Sequence, residues 1–264
     1  MMHYLTMLLA AGSAIAAPAT SSRLASRAQG DSIDSVLPPI VPINTRGGDK
    51  ALIAKLITAP TQVERVKLLD QPGDYVFDFK ADTDMGESEG KGGVSISATS
   101  LTMPALIGNG ASMTVAFLGP CGMNTAHVHN RATELNIIVQ GRLVTNFVIE
   151  NGAKPIENTM DTWQMSVFPM GAIHQEFNPD CEDAVFVASF NDPDPGVNQI
   201  AQNFFSLRSD VVQSTLGGIQ TLDGKDIETF REMIPDNIAL GIDACLNKCG
   251  ITRNKKRSIS EILA

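Results

Sequence analysis

Histidines, cysteines, aromatic rings and long apolar runs are all scarce in this chain. Aromatic residues make up 5% of its 264 residues, so a core has to be built from Val, Ile, Leu, Ala, Met and the 11 Phe. A C-x2-C pair is missing, which removes the zinc-knuckle class. No N-x-[S/T] acceptor occurs, so the surface is expected to be free of N-linked glycans. Lys and Arg number 20 against 29 Asp and Glu, and the net charge of −9 repels phosphate backbones. Nucleic-acid binding is thereby disfavoured. Internal repeats are absent, which excludes a duplicated barrel. Past the N-terminal leader no run approaches the roughly 20 apolar residues of a membrane span, so no membrane partner is expected.

What remains is a globular balance. The chain is 43% hydrophobic and 19% charged, and its mean hydropathy lies near zero. This fits one domain with extensions rather than a disordered chain. The stretch M-M-H-Y-L-T-M-L-L-A-A-G-S-A-I-A is apolar, lacks Asp, Glu, Lys and Arg, and ends in Ala14-Ile15-Ala16. It reads as a signal peptide over residues 1–16, which implies a secreted, extracellular protein. Four cysteines, Cys121, Cys181, Cys245 and Cys249, follow the leader. An even count in an exported chain points to disulfides. Pairing by proximity gives Cys121–Cys181 and Cys245–Cys249, although four cysteines allow three pairings.

Residues 17–47 are rich in Ala, Ser, Pro, Gly and Arg and read as an N-terminal arm or strap. From Lys50 to Leu69 apolar residues recur at helical spacing, broken at Pro60, which predicts two short helices with Thr61 near the second cap. From Tyr75 short β-type runs follow one another: Y-V-F-D-F, V-S-I-S-A, M-T-V-A-F-L, E-L-N-I-I-V, R-L-V-T-N-F-V-I, Q-M-S-V-F, A-I-H-Q-E-F and A-V-F-V-A-S-F. Turn signals at Gly141, Asn151-Gly152, Pro169–Gly171 and Asp180–Asp183 separate several of them. The pattern predicts an antiparallel sandwich or barrel spanning, with its leading helices, residues 48–207. Residues 208–264 turn helical again, through V-V-Q-S-T-L-G-G, K-D-I-E-T-F-R-E-M-I and N-I-A-L-G-I-D-A-C-L. Lys255-Lys256-Arg257 reads as a solvated tail. Met103, Met113, Met123, Met165 and Met170 are expected to fill the barrel volume that scarce aromatics leave open.

All three histidines beyond the leader fall in two Gly- and Pro-bounded blocks. His127 and His129 are two apart, so in a strand they share a face roughly 6.5 Å apart. Glu134 opens the next strand, and His174 follows the turn Pro169-Met170-Gly171. Burying three imidazoles beside an unpaired carboxylate is costly without a cation, so these four residues read as a metal site. With every histidine so committed, Ser/His/Asp hydrolysis finds no support. Three imidazoles and a carboxylate suit Mn, Fe or Zn. Tetrahedral Zn would be saturated and structural, whereas six-coordinate Mn or Fe keeps two open positions. A divalent ion on this set leaves a charge of +1, which attracts a small anionic substrate. Asn178 is expected either to fix a turn or to orient a histidine, and Asn124 to line the mouth of the site or to hold a turn.

The spacings resemble a known family. His127-x-His129, four residues, Glu134, six residues, Gly141 is similar to the first cupin motif, and Pro169-x-Gly171-x-x-His174-x-x-x-Asn178 to the second. G-M-N-T-A-H-V-H-N-R-A-T-E over residues 122–134 resembles the germin form, and C-E-D-A-V-F-V-A-S-F-N-D-P-D-P-G resembles spherulin-like relatives. Thr125, Ala126 and Asn130 stand where prolines are usual, and Trp163 where a Gly commonly begins the second motif; these differences touch loop stiffness, not ligands. The resemblance covers about residues 50–250. It implies a single jelly-roll barrel (a double-stranded β-helix), mainly β, with helical extensions. It also implies manganese on His127, His129, Glu134 and His174, homo-oligomers with the C-terminal helices at a subunit contact, and Arg131 paired with a carboxylate there. The activity implied is oxidation of a small carboxylate such as oxalate. The alternatives are superoxide dismutation, or a wall-, spore- or cyst-associated protein whose metal is structural. Oxalate decarboxylation is less favoured, because only one pair of motifs is present.

Overall fold

A computed structural model describes residues 33, 37–80 and 85–252. The leader (1–16), most of the arm and the Lys255–Arg257 tail lie outside these residues. The chain divides into two units, Met1–Ile40 and Val41–Ala264. Of the first, Ile33 and residues 37–40 are described, and all are exposed. Everything below concerns the second.

Two helices lead the domain. In α1 (Lys50–Thr58) the Asp49 carboxylate accepts from the Ala51 and Leu52 amides. In α2 (Gln62–Leu68) Thr61 accepts from the Glu64 amide, so the break at Pro60 and the Thr61 cap are as expected. Leu52 and Leu56 bury against Leu69, Ala105 and Ile107 in a satellite core. Asp74, fully buried, holds the Arg46 guanidinium (Nε–Oδ1 2.8 Å), which ties the entering chain to this base.

The barrel is two antiparallel sheets. One has the order β1 (Glu87–Gly90), β2 (Gly93–Ala98), β3 (Ser112–Leu118), β10 (Ala184–Phe190), β5 (Glu134–Gln140) and β8 (Met165–Phe168). The other has the order β11 (Asn198–Gln199), β4 (Gly122–Val128), β9 (Ile173–Phe177), β6 (Arg142–Val148) and β7 (Ile156–Asp161), and β12 (Ala239–Leu240) also pairs with β4. These are jelly-roll layers, as predicted. Alternation along the strands drives it: β10 reads buried, intermediate, buried throughout its length. Ala116, Leu118, Ile138, Leu143, Phe186 and Ala188 form the main core.

Three local expectations are corrected. Y-V-F-D-F is not a strand: Tyr75 ends a 3-10 turn (Pro72–Tyr75). Phe77 and Phe79 instead lie over Val94, Ile96, Val115 and Phe117, covering the outside of the first sheet with side chains rather than pairing with it. N-I-A-L is not helical, because Ala239 and Leu240 add to the edge of β4 opposite Met123 and Gly122; tertiary pairing overrides local periodicity here. Among the five methionines, Met113, Met165 and Met170 are exposed, the last two 57% and 59%, and do not fill the barrel. Only Met103 and Met123 pack against buried clusters.

The C-terminal region carries α3 (Ile200–Phe205), α4 (Ser209–Thr215), α5 (Ile227–Arg231) and α6 (Asp243–Cys249). The proximity pairing of cysteines is overturned: the bonds are Cys121–Cys245 and Cys181–Cys249. Cys245 and Cys249 sit one turn apart on α6, so both sulfurs leave the same helix face toward the barrel. There the β3–β4 and β9–β10 loops already touch, the Cys121 amide donating to the Asp180 carbonyl at 3.1 Å. Each loop takes one sulfur of the helix.

Candidate metal centre

Three strand ends and a turn assemble one buried group. His127 lies opposite His174 in the β4–β9 ladder, so their side chains share a face. His129 follows the end of β4, and Glu134 opens β5 facing inward. All four are 5% exposed or less. Their ligating atoms lie within 4.8 Å of one another. The only other such grouping among the described residues, Cys121, Cys245 and Cys249, is taken up by the disulfides.

The rings are aimed by their second nitrogens. Nδ1 of His127 is 2.8 Å from the Thr125 carbonyl, that of His129 2.7 Å from Gly196, and that of His174 2.9 Å from Ala172. A carbonyl only accepts, so each Nδ1 carries a proton and each Nε2 faces inward, where it must be free of a proton of its own before it can ligate an ion. Phe168 stacks on His174 (centroids 4.4 Å apart, planes 16° apart), and Phe190 packs on His129 at 4.5 Å. Arg131 does pair with a carboxylate, but within its own chain: its guanidinium meets Asp194 at 2.8 Å. Its amide also donates to the Pro195 carbonyl, which holds the loop that carries Gly196. Gly196 has φ +69°, and a Cβ there would press on that guanidinium at 2.9 Å.

Glu134 Oε2 stands 3.0 Å from Nε2 of both His129 and His174. Buried lone pairs do not share such a distance unless a proton or a cation lies among them. Burial disfavours the charged Glu134, but hydrogen bonds from His129 and His174 outweigh it and hold the carboxyl far below its usual range. Burial also lowers His174, yet the Glu134 hydrogen bond and the Glu176 and Glu134 charges raise it to about 9. His127 is pushed down to about 3 by burial and by the His174 charge, so it stays neutral. One anionic oxygen ligand and three imidazole nitrogens fit a divalent ion, which would take the place of the proton.

Further polar groups back this set. Asn136 Nδ2 donates to Glu134 Oε1 at 3.0 Å and to Glu176 Oε1 at 3.2 Å. Glu176 is fully buried, and burial together with the Glu134 charge raises its carboxyl to about 8. Asn124 donates to Glu176 at 2.9 Å and accepts from Asn237 at 2.7 Å. Alternation alone would set Asn124 and His127 on opposite faces, but a register shift in β4 between them brings both to the cavity. Asn124 therefore lines the site and holds no turn. Asn178 does the reverse: its amide donates to the carbonyls of Leu118, Gly119 and Glu182, so it fixes loops and orients no histidine. Asn136 and Glu176 were legible by period two, each standing two residues past a ligand in the same strand. Asn237 carried no local signal, since a distant segment delivers it.

A family model described as cupin matches residues 79–226, more than half of the chain. Spherulin-1A of Physarum polycephalum is 42% identical over 203 residues, covering 76% of this chain and 80% of that one. The chain belongs to the cupin family. Germin-like protein 12-2 of Oryza sativa subsp. japonica is 28% identical over 170 residues, 62% of this cupin and 74% of the relative. A solved oxalate oxidase in complex with the substrate analogue glycolate superposes with a TM-score of 0.51 at 22% identity, over 62% of this cupin and 84% of that chain, and shares its fold. No described helix of this cupin is long and apolar enough to cross a membrane.

Proposed function

We propose that this cupin is a secreted, manganese-dependent oxidoreductase that acts on a small carboxylate. The observation that carries the reading is that His127, His129 and Glu134 line a cavity of about 460 Å³. A purely structural ion would be closed off by its ligands, whereas this donor set opens onto space for a substrate. A sulfur-free set of three nitrogens and one oxygen suits Mn, Fe or Zn; six-coordinate Mn or Fe leaves positions for exogenous oxygen ligands, and the germin resemblance selects manganese between them. When bound, the ion supplies Lewis-acid and one-electron redox chemistry. The chain's own residues do the rest. The Nδ1 contacts fix the rings, Phe168 and Phe190 exclude water from their faces, and Asn136 holds Glu134 by its second oxygen. With oxalate, the first compound to test, the carbon–carbon bond breaks, two electrons pass to O2, and two protons complete hydrogen peroxide beside two CO2. The oxalate oxidase with the same fold supports that choice.

Secretion is supported by the apolar leader ending in Ala14-Ile15-Ala16 and by two disulfides. Homo-oligomers are supported by an apolar groove between α3 and α5, lined by Phe205, Phe230 and Ile234, and by the exposed pair Leu135 and Val167 across β5 and β8.

The test is oxalate-dependent peroxide release by manganese-loaded protein, alongside His127→Ala with its fold checked by circular dichroism. Release by the parent and none by the variant is expected. Superoxide consumption without oxalate turnover would replace the reading with dismutation. Metal that raises the melting temperature while supporting neither reaction would make the protein a non-enzymatic one with a structural ion.

A further inference from the structure

The cavity above the ligand group has a composition of its own. On β2, Ser95 and Ser97 alternate with buried Val94 and Ile96, so both hydroxyls face the interior. They lie opposite Ala116 and Thr114 of β3 in the ladder. Small inward residues on these strands leave the space open. Gln199 and Asn237 complete the polar wall, and exposed Asp236 stands at the rim. The rings of Phe186 and Phe190 provide an apolar wall. No Lys or Arg is among the residues that line this cavity, and its acids are Glu134, on the floor, and Asp236.

Three features of a ligand follow. The volume of about 460 Å³ lies within the roughly 300–1,000 Å³ of small-molecule pockets, and a two-carbon diacid fills a minor part of it. Hydroxyl and amide side chains both donate and accept, which matches C–OH groups, while the Phe rings suit the C–H face of a polyol chain. A single cationic point, the ion held by the ligand group, takes one carboxylate, and exposed Asp236 repels a second one that comes near it. We propose that the substrate of this site is a polyhydroxylated monocarboxylate of monosaccharide size, a sugar acid, whose carboxylate end meets the ion while its hydroxylated tail lies along Ser95, Ser97, Thr114 and Gln199. The proposal rests on the metal reading above and names the carboxylate.

Calorimetric titration of manganese-loaded protein with D-gluconate, glycolate, oxalate and D-glucose tests it, with manganese content measured on the same sample. Two or more added hydrogen bonds predict gluconate binding about tenfold or more tighter than glycolate. Glucose, without the carboxylate, should bind at least about tenfold more weakly than gluconate. The double variant Ser97→Ala/Thr114→Val should erase the advantage of gluconate and leave glycolate binding unchanged. Equal affinities for gluconate and glycolate, or glucose binding as well as gluconate, would each overturn the proposal in a protein that holds its manganese, and oxalate that fails to bind would overturn the open ion on which it rests. A protein that takes up no manganese overturns the metal reading first, and this inference with it.

Discussion

At the scale of single residues, two positions show how the chain treats its backbone and its charges. Trp163 adopts φ +69° while 74% exposed. A left-handed conformation costs a side chain roughly 1–2 kcal/mol, and glycine escapes it. Trp163→Gly should therefore stabilise the protein by roughly 0.5–1 kcal/mol, after the extra chain entropy of glycine is set against the relief. Denaturant midpoints of the two proteins decide the matter, and a lower midpoint for the variant would refute the argument. Glu134 brings the only negative charge to the ligand set. Glu134→Gln keeps the shape and removes that charge, so manganese affinity should fall by about 100-fold or more. Elemental analysis after desalting would expose an error if loading were undiminished.

At the scale of elements, the cross-links and the loops they join govern the end of the barrel remote from the cavity. Cys121–Cys245 closes 124 residues and Cys181–Cys249 closes 68. Loss of one such bond typically costs about 2–5 kcal/mol. Cys181→Ser with Cys249→Ser should lower the melting temperature and make α6 the first site of limited proteolysis. Unchanged melting would show that packing and the remaining Cys121–Cys245 bond suffice to hold α6. In the same region Asp180 is held below the usual carboxylate range, chiefly by its hydrogen bond from Arg142 against a smaller effect of burial. A lowered carboxyl stabilises the fold at pH values above the ordinary Asp range of about 3.9, and that contribution is lost as pH falls through the lowered value. Arg142→Gln should thus be slightly less stable than the parent at neutral pH and indistinguishable from it in strong acid. A difference that persists at low pH would point away from the ion pair.

Much of this level was readable beforehand. Strands that bury one face, such as β10, announce themselves by alternation, and so do ligands two residues apart. The exceptions are instructive. β1 (E-S-E-G) and β7 (I-E-N-T-M-D) bury almost nothing, Met160 excepted, so hydrophobic period had nothing to register. Phe77 and Phe79 alternate as a strand does but use that spacing to cover a sheet. The cysteine partners depended on which loops become neighbours, and sequence distance does not encode that.

For the whole molecule, removal of the ion is the broadest probe. A cation shared by the four buried ligands would couple β4, β5 and β9, so under the proposed reading chelation should lower the melting temperature, and readdition of manganese should restore it in a concentration-dependent way. A melting temperature indifferent to chelator would remove the ion from the stable fold. Light scattering that returned a stable monomer would likewise remove the proposed subunit contact. One connection bears on biosynthesis. The outer edge of β4 is finished by two short segments, Asn198–Gln199 at one end and Ala239–Leu240 at the other. During vectorial synthesis the ribosome delivers the second patch more than a hundred residues after β4 itself, so a nascent chain halted before position 239 leaves the Gly122–Met123 stretch without that partner. Truncation there should yield a product that chaperones retain or that precipitates, because a segment translated late acts as the closure of a structure begun long before.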